Sequence, residues 1–165
     1  VALGPSHADH YMQAAKDYLD QTICPKRKLA LAESTKDLSE KLQENPENRF
    51  ITFCLKLGPI SWFNFNYDAS PLWEGVSVNM PIMDRLWGQV FKEIDITKNL
   101  KDFKRPVLLC LGLFDYLVAP FFSWYPIKEQ FHDLKIKIFE KSSHTPQFEE
   151  SENFQEVLLN FLSQK

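Results

Sequence analysis

Asp115 and His144 are the two residues of this chain whose type and setting combine into recognisable chemistry. A carboxylate that accepts a hydrogen bond from one imidazole nitrogen fixes the ring's tautomer. It also stabilises the imidazolium that forms when the other nitrogen acts as a base. Asp115 follows the unbroken apolar run PVLLCL, Pro106 to Leu111, and the tripeptide Gly112-Leu113-Phe114. His144 follows a second short run, LKIKIF from Leu134 to Phe139, and the polar stretch Glu140-Lys141-Ser142-Ser143. Thr145-Pro146 then keeps the backbone after the histidine extended. The plainer reading of Asp115, as a turn or cap aspartate ahead of Ala119-Pro120, loses weight once a histidine ends the next strand.

The two apolar runs predict strands. In an open parallel sheet their carboxyl ends share one rim, where functional groups collect. Ser123 to Phe131 predicts the connecting helix. Asn153 to Leu162 predicts a closing helix with Phe154, Val157, Leu158, Phe161 and Leu162 inward. The first hundred residues read as mostly helical. From Asp9, the residues Tyr11, Ala14, Ala15, Tyr18 and Leu19 form one stripe. After Cys24-Pro25, Leu31, Leu38 and Leu42 mark one longer amphipathic helix that Asn45-Pro46 closes. Asn48 to Leu57 fits a helix or a strand, ended either way by Gly58-Pro59. Trp62 to Trp73 is aromatic and aperiodic, as a lid or pocket wall would be. Met80 to Phe91 predicts a helix with Ile82, Met83, Leu86, Trp87, Val90 and Phe91 as core. Val1-Ala2-Leu3 before Gly4-Pro5 reads as the tail of a strand. Two strands and a stub are few for a parallel sheet, which buries both faces under helices. The remaining strands are therefore expected from sequence before Val1 or from a complementing chain.

With 44% hydrophobic and 25% charged residues, the chain is globular material, and fourteen Phe, five Tyr and four Trp can fill a large core or an apolar pocket. A formal charge of -3 gives no reason to expect nucleic acid or an anionic membrane as partner. Lys26-Arg27-Lys28 is expected to be a solvated helix face. Cys24, Cys54 and Cys110 show no CxxC pairing, so no disulfide framework is expected, and Cys110 reads as a small core residue. No apolar stretch is long enough to span a bilayer, and the amino end carries no signal-type pattern; a cytoplasmic protein is the default expectation. His7, Asp9 and His10 lack a third ligand partner and fit a helix start, so no metal is expected, nor any organic cofactor. His132 is expected near a helix end.

The segments RPVLLCLGLFDYLVAP and FEKSSHTPQFEESENFQEVLLNFL resemble the carboxyl-terminal part of the α/β-hydrolases, especially the proline iminopeptidase-like branch. The resemblance implies that Asp115 is the catalytic acid and His144 the general base. Ser143 stands where that family more often has Gly. It further implies an α/β fold that is an incomplete α/β-hydrolase. Residues 1–8 would be the end of a core strand and the approach to the cap, 9–104 the helical cap, and 105–165 the carboxyl-terminal part of the core. The amino-terminal half of the parallel sheet would be missing.

The family's nucleophile sits on a tight strand-to-helix elbow between small residues. Gly4-Pro5-Ser6-His7-Ala8 comes nearest, but Pro5 restrains the turn and Ala8 replaces the second Gly. The oxyanion-hole segment is likewise absent. The expected function is therefore a serine hydrolase of acyl or peptide bonds, foremost an aminopeptidase of the proline iminopeptidase type. The chain by itself is expected to be inactive. Esterase, lactonase or epoxide-type hydrolysis on the same fold is the alternative, as is a non-catalytic pseudohydrolase that binds a ligand or partner. For a small-molecule or short-peptide substrate, Trp62, Phe63, Phe65, Tyr67 and Trp73 are candidate pocket residues. Glu74 or Asp68 would meet a substrate ammonium. Otherwise these aromatics fasten the cap to the core and the acids face water. Glu149 and Glu150 are expected as helix-start charges favoured by the helix dipole.

Overall fold

The computed structural model describes residues 8–163; Val1–Leu3, expected from the sequence as a strand tail, and Ser6 and His7 lie outside them. Strands β1 (Val107–Gly112) and β2 (Leu134–Phe139) pair in parallel, with Val107 opposite Leu134 and Gly112 opposite Phe139. Parallel neighbours need a long crossover between them. Here it includes a 3-10 helix, Phe121–Gln130, whose Trp124 is buried. The sequence leads one to expect an α-helix there. Pro126 sits inside it, and a proline removes the i to i−4 hydrogen bond an α-helix would need.

Among the described residues seven α-helices precede the sheet, with short 3-10 and π turns between them: α1 (Ala8–Thr22), α2 (Pro25–Thr35), α3 (Leu38–Glu44), α4 (Arg49–Lys56), α5 (Gly58–Ser61), α6 (Met80–Arg85) and α7 (Phe91–Glu93). They form a helical cap beside the sheet fragment. The single long helix expected from Leu31 to Leu42 is in fact two. Thr35 Oγ1 turns back to the Leu31 carbonyl at 2.8 Å, and Asp37 leaves the helix to pair with Lys56 Nζ at 2.5 Å. Such back-bonding and a competing side-chain partner weaken the ladder at that turn. Asn48 to Leu57 resolves as helix. Gly58-Pro59 does not end the helical path but opens the next turn, α5, where proline's missing N–H costs nothing.

Two expected apolar faces are not covered. In α6 and the wide π-helical turn Leu86–Val90 that follows it, Ile82, Trp87 and Val90 are exposed and Met83, Leu86 and Phe91 half-buried. The stretch is held at two points, by Arg49 of α4 donating to Asp84 at 2.5 Å and by Tyr11 Oη of α1 donating to the Phe91 carbonyl at 3.4 Å. The last helices are α8 (Pro146–Glu149) and α9 (Ser151–Leu162). In α9, Phe154 packs on the buried Phe139 with ring centroids 5.7 Å apart, while Leu158 and Leu162 face outward. A helix lying on two strands has nothing beneath its far flank, so of the five apolar residues expected inward only Phe154, Val157 and Phe161 are half-buried.

Candidate active site

Parallel pairing in register brings Gly112 and Phe139 to the same rim, so the loops that follow them meet. The Leu113 and Phe114 amides donate to the Phe139 and Ser142 carbonyls at 2.9 and 3.0 Å. Gly112 makes this meeting possible. A Cβ there would stand 1.8 Å from the Ser143 carbonyl oxygen and 2.7 Å from that of Ser142, so only glycine fits.

Across this junction His144 Nδ1 lies 2.9 Å from Asp115 Oδ2. The carboxylate is fixed from its other side, because Asp115 Oδ1 accepts the Leu117 amide at 3.0 Å. Its side chain is 13% exposed and the imidazole 40%, so the acid is the sheltered member and the base is within reach of a substrate. Burial disfavours the charged imidazole. The hydrogen bond and charge of Asp115, with the charge of Glu149, outweigh that and hold the His144 pKa above its ordinary value. With Nδ1–H donating to Asp115, Nε2 is left as the acceptor, and among the described residues it makes no hydrogen bond.

The loop that carries the histidine is tied on every side. Ser143 is fully buried, and its Oγ reaches the Phe114 carbonyl at 2.7 Å and the Ile60 carbonyl at 3.2 Å. Its single hydroxyl proton goes to the nearer Phe114 carbonyl, with the Ile60 carbonyl as the more distant acceptor. Glu149 accepts the amides of Phe63 and Ser143 at 2.5 and 2.8 Å, and Glu150 accepts the Lys141 amide and Ser142 Oγ at 2.9 and 2.7 Å. Both glutamates, expected merely as helix-start charges, therefore bind the histidine loop. Glu149 also stitches that loop to the cap. The His144 amide itself donates to the Ser61 carbonyl at 3.2 Å.

The acid loop is held by α1, whose Tyr18 Oη donates to the Leu113 carbonyl at 2.7 Å and stacks on Tyr116 at 5.3 Å. The basic run Lys26-Arg27-Lys28 is only partly the solvated face expected of it. Lys26 and Lys28 are exposed, but Arg27 is 5% exposed and donates to the carbonyls of Pro59, Trp62 and Phe63 at 2.7, 2.7 and 2.8 Å. Its guanidinium also lies over the rings of Phe65, Phe114 and Tyr116. A charged run gives no sign of which member turns inward; the many aromatics nearby in the fold are the only hint.

A cleft of about 240 Å³ adjoins the histidine loop, lined by Trp62, Phe63, Asn64, Tyr67, Lys141, Phe148 and Glu149. Trp62, Tyr67 and Phe148 form one aromatic cluster with centroids 4.7 to 6.0 Å apart. The other candidate pocket residues are elsewhere. Phe65 covers Arg27, Trp73 packs edge-on against Phe50, and Glu74 is exposed beside the turn at Gly75. Asp68 caps its own turn by accepting the Ser70 amide at 2.9 Å. His10 and His132 are exposed, and no cluster of three metal-ligating side chains occurs among the described residues. Nor is any helix among them long and apolar enough to cross a membrane. No strand–serine–helix elbow is present among them either.

No family model matches the chain. Over 160 residues it is 33% identical to the AB hydrolase superfamily protein YclE of Bacillus subtilis, an alignment that takes in 97% of this chain and 57% of that protein. Among solved structures, the proline iminopeptidase of Mycobacterium smegmatis superposes on 97% of the chain and 54% of its own length, with a TM-score of 0.64 at 18% identity. The esterase EaEST of Exiguobacterium antarcticum superposes on 78% of the chain and 47% of its own, with a TM-score of 0.53 at 19% identity. The chain spans little more than half the length of the curated relative it matches. It has the fold of the α/β-hydrolase superfamily, of which it carries the helical cap and a two-stranded part of the parallel core sheet.

Proposed function

We propose that His144 and Asp115 are the general base and the orienting acid of a serine hydrolase acting on acyl or peptide bonds. An amino-terminal peptidase of the proline iminopeptidase type is the first activity to expect. The observation that carries this reading is the 2.9 Å contact between His144 Nδ1 and Asp115 Oδ2 at the tips of adjacent parallel strands. A serine Oγ contributed by the rest of the core attacks the acyl carbonyl. His144 Nε2 takes its proton and returns it to the leaving group, while Asp115 stabilises the imidazolium, and water then resolves the acyl-enzyme. The aromatic cleft of Trp62, Tyr67 and Phe148 would hold the apolar part of the substrate.

A second reading, ester hydrolysis, is favoured by one feature of the cleft. Glu149, the carboxylate that lines it, uses both oxygens on loop amides, while Glu74 and Asp68 stand outside it. No lining acid is left over for a substrate ammonium. Assaying the full polypeptide that carries these residues against prolyl-p-nitroanilide and p-nitrophenyl esters separates the two. On either substrate His144→Ala should cut kcat by at least ~10⁴-fold. Undiminished turnover in that variant would remove the proposal.

A further inference from the structure

Five consecutive carbonyls, Pro59 to Phe63, form a bridge between two parts of the molecule. Pro59, Trp62 and Phe63 point theirs at the Arg27 guanidinium. Ile60 and Ser61 point theirs at the histidine loop, to Ser143 Oγ and the His144 amide. We infer that Arg27 is a positioning residue for the catalytic histidine. By gripping one side of the 59–63 segment, it fixes the other side, on which the His144 backbone hangs, and so sets the imidazole against Asp115. This rests on the reading of His144 and Asp115 as an acting pair.

Three features support it beyond the chain of hydrogen bonds. Residues 59–63 hold only one short helical turn, α5, which cannot stay fixed by its own ladder. A buried guanidinium with three carbonyl acceptors is a rigid fork, which a lysine ammonium cannot reproduce from the same stem. The same guanidinium lies over Phe114 and Tyr116, the residues on either side of Asp115, at 5.9 and 5.6 Å. Arg27 therefore touches the supports of both members of the pair and neither member itself. The charged groups that act on His144 directly are Asp115 from the acid loop and Glu149 from α8.

The titration of His144 tests this without needing turnover. The chain has four histidines, and the His144 signal is assigned by its loss in His144→Gln. Asp115→Asn sets the scale: removing the carboxylate's charge should lower the His144 midpoint. Arg27→Lys keeps the positive charge but loses the fork. In the folded variant the midpoint should move toward that of Asp115→Asn, as the imidazole drifts from its acid. Simple loss of a nearby cation would raise the midpoint instead, so the sign separates the two effects. An Arg27→Lys protein that is folded by circular dichroism with an unmoved midpoint overturns the inference and leaves the pair standing. A midpoint that Asp115→Asn fails to move overturns the pair, and the inference with it. Should Arg27→Lys not fold, the same titration is read on Ser143→Ala, which removes the Ile60 tie, one of the bridge's two links to the histidine loop, and leaves the His144 amide on Ser61. A lowered midpoint there upholds the connection and an unchanged one refutes it.

Discussion

At the scale of single residues, the division of labour between Asp115 and His144 follows from shelter. The carboxylate, 13% exposed and already holding the Leu117 amide, has little freedom to leave the imidazole. The imidazole keeps a face to solvent, as a base that must meet substrate requires. Because the pair holds the His144 pKa above its ordinary value, the histidine stays protonated to a higher pH than a free one would. A protonated imidazole cannot accept the nucleophile's proton. The acid limb of kcat/KM in the full polypeptide should therefore lie above the ordinary histidine range of about 6.5. Asp115→Asn should shift that limb down while lowering kcat itself by about 10⁴-fold, since the tautomer is no longer held. The same raised pKa has a stability consequence of definite sign. The charged pair contributes most below the unfolded histidine's pKa, and its contribution is lost as pH rises through the folded value. A pH–rate profile whose acid limb does not respond to Asp115→Asn would contradict the coupling.

At the scale of elements, the site depends on how closely two strand tips can approach. Gly112 is the closest contact. Its hydrogen faces the Ser143 carbonyl, and a methyl group there has no room because the obstructing atoms are backbone. Gly112→Ala must push the histidine loop away from β1, breaking the Phe114 amide's bond to Ser142 and the anchors of Ser143. Overpacking of this kind costs roughly 1–3 kcal/mol. It should appear in urea unfolding as a lower midpoint, and in the His144 titration as a fall toward the unpaired value. An alanine variant as stable as the parent, with His144 unmoved, would mean that the two tips are not in contact. The parts of this junction that could be seen in the sequence are those written in consecutive residues. Both strands, their order and the acid and histidine after them follow from apolar runs ended by polar loops. Nothing in the sequence around Gly112 marks it as the point of closest approach. Glu149 and Arg27 carry no local sign of their partners in the cap, which lie 86 and 32 to 36 residues away. Glu150 binds Ser142 and Lys141, eight and nine residues back, across a turn that periodicity does not describe. The helical break at Lys36-Asp37 was hidden for a related reason, whereas Pro126 stood in the sequence as a local breaker that the expected α-helix passed over. Periodicity shows where apolar faces recur, but not where a side chain such as Asp37 prefers a distant Lys56 to the helix it sits in.

At the scale of the whole molecule, the chief fact is that the described residues form a parallel sheet of two strands. Parallel sheets are stable when both faces are covered and their edges are paired. Here a helix from one side meets the sheet through Phe154 and Phe161, yet α9 turns Leu158, Leu159 and Leu162 outward, Leu159 being 66% exposed. Apolar rows of that kind on a helix next to an open sheet are the surface that further core elements would bury. The same helix pattern that suggested a fully inward face thus identifies the side on which covering is wanting. For the 165-residue chain studied by itself, burying those leucines against a second copy is the available substitute, at roughly 25 cal/mol per Å² of apolar surface removed from water. It should sediment as concentration-dependent larger species. Leu159→Lys, which places a charge at the centre of the row, should shift it toward monomer without altering the His144 titration. The side-chain hydrogen bonds of the pair run to each other and to the Leu117 amide and not to α9. Sedimentation velocity across a hundredfold range of concentration distinguishes the cases. A chain that is monomeric throughout, or one whose association ignores Leu159→Lys, would show that this helix face is not where the molecule seeks its missing contacts.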